Sequence, residues 1–202
     1  HTVSDVEALS HCMLIWRSFT HWIGGMGVLV FILCLLPLTG GYHMNLMKAE
    51  SPGPSVSKLV PKVQSTAKIL YTIYIILTIV EIIFLLIGKM PLFDTLCLSF
   101  GTAGTGGFGI KNDSIASYST YNQVVITVFM ILFGINFNAY YLLLTKKVMQ
   151  AAKNEEVRYY LGIIGLAIVA IAINTREMFT SFGSAFQQAA FQVGSIITTT
   201  GY

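Results

Sequence analysis

Thr102-Ala103-Gly104-Thr105-Gly106-Gly107-Phe108-Gly109 and Thr198-Thr199-Thr200-Gly201-Tyr202 are the two stretches on which the reading of this chain turns. Each follows a short apolar segment of helical character, too short to cross a bilayer. Each short segment in turn follows a longer one that could cross. Long helix, short helix, then a Gly/Thr loop ending in Gly-aromatic is an order that brings backbone carbonyls to a dehydrated cation within a membrane. Its occurrence twice sets the expectation for the fold.

The surrounding composition agrees. Of the 202 residues, 54% are hydrophobic and only 10% are charged, against about 45–50% and about 25% in soluble domains. A soluble surface needs charge, so lipid is expected to replace water around much of this protein. The formal charge of +3 is small, and no basic run alternates with aromatics, which excludes nucleic acid as a partner. Cys12, Cys34 and Cys97 show no metal-ligand spacing and read as small apolar fillers. No signal peptide precedes the first apolar segment, and the chain reads as a piece of something longer.

Four segments approach the roughly 17–25 residues needed to span: A from Met13 to Pro37, B from Ala67 to Ile87, C from Tyr121 to Leu144 and D from Tyr159 to Ile173. D is short unless Arg158 and Asn174 sit at the interface. Between B and C lies Leu92–Phe100, opened by Pro91; after D lies Ser181–Ile196. Both are expected to be re-entrant half-helices. Lys48, Lys58 and Lys62 fall between A and B with Lys68 at the very start of B, and Lys146, Lys147, Lys153 and Arg158 fall between C and D. Basic residues mark the cytoplasmic side, so the 41–66 and 146–158 loops are expected there and the Gly/Thr loops are entered from outside.

The chemistry expected of the loops follows from solvation. A bare cation in lipid is prohibitively costly unless oxygens replace its water. Carbonyls do so without a fixed charge that would trap the ion. Aiming several at one axis requires backbone dihedrals that Gly permits, and Thr adds a hydroxyl oxygen. The C-terminal ends of the half-helices favour a cation at the loops. Thr105, Gly106, Gly107 and Phe108, with Thr199, Thr200, Gly201 and Tyr202, are therefore the candidate ion ligands. A phosphate-binding glycine loop is excluded: G-x-x-x-x-G-K-[ST] is absent, and the segments flanking the glycines at 104–109 are not a strand followed by a helix in a charged domain, the context such a loop needs.

The motifs resemble those of the membrane subunit of the Trk/Ktr/HKT superfamily of potassium transporters, closest to the bacterial TrkH type. Trp16-Arg17-Ser18-Phe19-Thr20-His21-Trp22-Ile23-Gly24-Gly25-Met26-Gly27 is similar to the stretch opening the second span of its repeat one. Ser99–Phe108 resembles the pore helix and filter of repeat two, and Ala189–Val193 leading into Thr198–Tyr202 those of repeat three. The resemblance implies an all-α membrane protein of M1–pore helix–M2 repeats around a pseudo-fourfold pore. On that plan residues 1–40 hold the second span of repeat one, 41–66 a cytosolic loop, 67–145 repeat two and 146–202 the start of repeat three. Gly107 and Gly201 would be filter glycines, with Gly106 a competing register for repeat two. A Ser at such a position tends to admit sodium in the family; its absence here favours potassium. The implied activity is potassium uptake across a bacterial inner membrane, with no cofactor and no catalysis. The implied partners are a second copy and a cytosolic nucleotide-binding regulatory subunit of the TrkA type.

Two other classes remain as alternatives: a secondary transporter with broken helices for another small cation, and a non-transporting scaffold subunit. Inverted repeats would put successive loops on opposite sides, which the basic-residue bias opposes. Glu81 lies inside segment B, where a carboxylate is a candidate for an ion pathway or for a buried partner. Asn136 and Asn138 favour helix–helix hydrogen bonding over pore lining. Gly24, Gly25 and Gly27 favour close packing, Asp94 a cap or dipole role, and His11 and His21 an interfacial setting.

Overall fold

Apolar side chains on nearly every face of segments B and D leave a helix as the one structure that satisfies their backbone internally. The computed structural model describes residues 5–27, 63–144, 149 and 154–202, and every regular element among them is helical. The second half of segment A, residues 41–62 and Lys146, Lys147 and Lys153 lie outside the described residues, so the sidedness expected from them is not addressed.

Helix α1 is His11–Gly25 and α2 is Val63–Ile87, which reaches back into the stretch assigned to the 41–66 loop. Helix α3, Leu92–Ala103, is the first half-helix, with Pro91 as its N-cap residue. Helix α6 is Glu155–Asn174, longer than segment D because the Asn154 side chain caps it by accepting from the Glu156 N–H. A 3₁₀ turn at Arg176–Met178 leads to α7, Phe182–Ile197, the second half-helix, capped by Ser181.

Segment C differs from expectation. It forms two helices, α4 at Thr120–Phe133 and α5 at Phe137–Leu144, rather than one span. The break falls at Gly134, where a Cβ would meet the Thr198 methyl at 2.9 Å and crowd the Tyr160 hydroxyl. Carbonyls near the break find side-chain donors instead. Tyr140 donates to the Leu132 carbonyl (2.7 Å) and Tyr160 to that of Ile131 (3.1 Å), consistent with the rule that buried carbonyls stay paired. Asn136 sits in the break and donates to Glu156 (3.0 Å), so its bond runs between helices. The side chain of Asn138 lies outside the described set. Among the described residues, α2 from Ala67 to Ile87 and α6 are the helices long and apolar enough to cross a membrane.

The half-helix α3 packs against α1, α2 and α4, while α7 packs against α6 and α4. The core under α3 is built from Tyr74, Leu85, Leu98, Ile126 and Met130, with Phe191 and Tyr202 closing it from the α7 side. The outer faces stay apolar: Ile83, Ile87, Ile163 and Leu166 are all exposed. Water would not tolerate so continuous an apolar face, and lipid or neighbouring helices would cover it.

Candidate functional site

The two Gly/Thr loops leave their half-helices by the same turn. At the end of α3 the Thr105 N–H donates to the Thr102 carbonyl (3.0 Å), and at the end of α7 the Thr199 N–H donates to that of Ile196 (3.1 Å). Gly107 N–H then returns to the Gly101 carbonyl (3.4 Å), as Gly201 N–H returns to that of Ser195 (3.2 Å). The dihedrals follow the same register. Thr105 and Thr199 have φ +50° and +57°, and Gly107 and Gly201 have φ +58° and +79°. Left-handed geometry is uncommon for a β-branched residue and costs about 1–3 kcal/mol, so its recurrence at matched threonines marks a constrained turn. In this register Gly106 matches Thr200, and Gly107 matches Gly201.

The loops abut. A Cβ added at Gly107 would lie 2.8 Å from the carbonyl carbons of both Thr200 and Gly201. At Gly201 nothing lies within 4 Å of the same position. Thr200 is buried, and its hydroxyl shares a 2.7 Å hydrogen bond with that of Thr198, whose own proton goes to the Gly194 carbonyl (2.7 Å). Thr199 is exposed. Tyr202 turns back against the first half-helix: its hydroxyl donates to the Leu98 carbonyl (2.8 Å) and lies 3.3 Å from that of Thr102.

Helix α1 supports the first loop, in part through Arg17, for which the sequence suggested no role. Arg17 Nη2 donates to the Gly109 carbonyl (2.7 Å), and its guanidinium stands 5.5 Å from the Phe108 ring centroid. His21 meets Phe108 edge-on at 5.0 Å, and its ring fills the space a side chain at Gly106 would need. His21 is therefore packed behind the loop. Gly25 approaches the loop from below: a Cβ there would sit 2.6 Å from the Gly104 Cα, the close packing expected of it. Gly24 has open space at that position.

Beyond the first loop, Gln123 spreads its amide over three carbonyls, at Ile115 (3.4 Å), Ala116 (3.3 Å) and Tyr118 (3.0 Å). Its own oxygen accepts from Gln187 of α7 (2.9 Å), tying the turn ahead of α4 to the second half-helix. Asp94 accepts from the Tyr118 hydroxyl (2.9 Å). Burial, and then this bond to Asp94, push the Tyr118 phenol upward, keeping it a donor. At the rim, Asp5 accepts from the Asn112 amide (2.8 Å), which holds its carboxyl below the usual value. A cleft of about 210 Å³ between this outer turn and α7 is lined by Asp113, Gln123, Gln188, Gln192 and Tyr202.

The oxygens gathered at the loops are carbonyls and hydroxyls. Among the described residues, no cluster of three or more His, Cys, Asp or Glu is placed to hold a metal.

Comparison with known proteins places this geometry. The family model TrkH, described as a cation transport protein, matches residues 1–173. The chain is 31% identical over 206 residues to the Trk system potassium uptake protein TrkH of Salmonella typhimurium, covering 100% of this chain and 43% of that one. It is 34% identical over 208 residues to the protein of that name from Vibrio parahaemolyticus, covering 99% and 43%. The crystal structure of the potassium transporter TrkH from Vibrio parahaemolyticus superposes with a TM-score of 0.77 at 28% identity, covering 98% of this chain and 40% of that one. The chain thus spans under half the length of these relatives.

Proposed function

We propose that this chain, which belongs to the TrkH family of cation transport proteins, supplies two of the carbonyl arcs of a potassium-selective filter. The relatives it matches are named for potassium uptake. In this reading a potassium ion sheds water at the outer mouth and exchanges it for main-chain oxygens of Thr105, Gly106, Gly107 and Phe108 and of Thr199, Thr200, Gly201 and Tyr202. The left-handed turns aim the oxygens; the number and field of those oxygens set the preference for potassium. The half-helices α3 and α7 end at the loops and add partial negative charge there.

The observation that carries the reading is the contact between the two loops, where the Gly107 backbone meets Thr200 and Gly201 in a shared register. A secondary transporter built on inverted repeats would carry such loops on opposite sides. The repeat assignment, 67–145 as repeat two and 146–202 as the start of repeat three, belongs to this proposal. So do a bacterial inner-membrane setting with loops 41–66 and 146–158 cytosolic, a homodimer, and a TrkA-type cytosolic partner. Flux is non-catalytic and needs no cofactor.

The test uses the full-length protein reconstituted in vesicles. Gly107→Ser and Gly201→Ser are each expected to lower potassium-over-sodium uptake. An unchanged ratio in both would overturn the site assignment.

A further inference from the structure

Arg17 stands behind the first loop with a charge that no described carboxylate answers. Its Nη2 donates to the Gly109 carbonyl (2.7 Å), the next along the chain from Phe108, the last candidate ligand of that loop. Its guanidinium carbon lies 5.5 Å from the Phe108 ring centroid. Nε is buried without a hydrogen-bond partner. Among the described residues no ion pair neutralises the group. A guanidinium keeps its proton at any physiological pH. A full positive charge therefore sits beside the loop, half-buried, where salt screens it far less than at the surface.

The placement is one-sided. Helix α1 packs on α3 as α4 packs on α7. Counted from their N-cap serines, Ser10 and Ser119, the α4 position that matches Arg17 is Ile126, apolar and buried. The second loop thus has no such cation from α4. The other charges of the outer turn are exposed or committed. Asp5 and Glu7 are exposed and accept from Asn112. Lys111 donates to the Ser117 hydroxyl (3.0 Å) and lies over the Tyr118 ring. Asp113 is exposed, so salt screens it.

A cation held by oxygens of the first loop feels the Arg17 charge as a repulsion proportional to its own charge. A divalent ion feels twice what a monovalent ion feels. In binding constants, that doubling squares the factor by which the ion is weakened. We propose that Arg17 is a specificity-determining residue, a fixed positive charge that disfavours divalent cations at the filter and keeps monovalent ones loosely held. Potassium and sodium carry the same charge, so Arg17 does not choose between them. That choice belongs to the oxygens.

The inference rests on the filter reading above, and the test separates the two. Full-length protein in vesicles is assayed for potassium and sodium uptake and for block by barium added on the supply side. Arg17→Gln keeps an N–H donor without the charge. It is expected to lower the half-saturating concentrations of potassium and sodium about fivefold each, the order of effect of a unit charge in a partly buried site, with their ratio unchanged. Barium block should strengthen about twenty-fivefold, the square of that factor. Arg17→Leu, which also gives up the bond to Gly109, should show the same gain in barium block. Arg17→Lys keeps the charge and should keep the wild-type block. Equal shifts for potassium and barium, a Lys variant that follows Gln, or unchanged block in both neutral variants would overturn the proposal. Gly107→Ser and Gly201→Ser are run alongside. If they alter selectivity while the Arg17 variants shift nothing, the filter stands and Arg17 loses this role. If both leave selectivity unchanged, the filter reading fails and this one with it.

Discussion

The Tyr202 hydroxyl donates to the Leu98 carbonyl across 2.8 Å, fastening the end of one Gly/Thr loop to the half-helix that carries the other. The second loop is thus braced by the first half-helix as well as by its own. Space for that phenol is provided by Gly101, where a Cβ would stand 2.7 Å from the Tyr202 oxygen and 3.6 Å from its Cζ.

Gly101→Ala is accordingly expected to displace the Tyr202 ring and lower both thermal stability and potassium selectivity. Combining it with Tyr202→Phe removes the atom in the way. The double variant should recover part of the stability lost in Gly101→Ala, measured as melting temperature in detergent, even though Tyr202→Phe alone forfeits about 1 kcal/mol of hydrogen bonding. Purely additive losses would count against the contact.

Gly107 and Gly201 share left-handed backbones but differ in their surroundings. An alanine at Gly107 meets two backbone carbons of the other loop at 2.8 Å, while at Gly201 it meets nothing within 4 Å. Both substitutions carry dihedral strain; Gly107→Ala adds a collision with backbone that cannot swing away. Gly107→Ala should therefore impair uptake and stability more than Gly201→Ala, as read by isotope flux and thermal unfolding of the full-length variants. Equal effects would mean that the loops do not meet as described.

Arg17 reaches the first loop from helix α1, so its contribution is separable from loop chemistry. Arg17→Leu removes a charge-assisted bond to the Gly109 carbonyl, an interaction typically contributing about 1.5–3 kcal/mol, together with its contact on Phe108. The expected outcome is faster amide exchange across residues 105–109, with smaller change at 199–202. Arg17→Lys should restore only part, because a point charge lacks the planar fork of the guanidinium. Uniform exchange across both loops would contradict the assignment.

Much of this architecture was legible in the residues. The spacing of Gly and Thr at 104–107 and 198–201, each behind a short apolar segment, marked both half-helices and both turns. The left-handed backbones at Gly107 and Gly201 fall on the two glycines that the family resemblance marked. What could not be read were partners supplied from far away in sequence. His21 looked interfacial because nothing near it in the chain reveals that Gly106 and Phe108 will close over it. Arg17 had no role to read, because its acceptor Gly109 lies 92 residues further along the chain. Segment C read as one span because Val, Ile, Phe and Leu run past Gly134. The break there is sustained by Tyr140 and by Tyr160 from a later helix, which composition alone does not disclose. Gln123, an unremarked polar residue near the start of α4, is the hub of the outer turn for the same reason.

The central claim is that main-chain oxygens of the two abutting loops replace the hydration shell of a potassium ion. Crystals of the full-length protein grown with rubidium or thallous ion test it most directly through anomalous scattering. The account predicts a peak in direct contact with carbonyls of both Thr105–Phe108 and Thr199–Tyr202, weakened in the Gly107→Ser and Gly201→Ser variants. Peaks confined to other parts of the protein, with none between these loops at saturating cation, would contradict it.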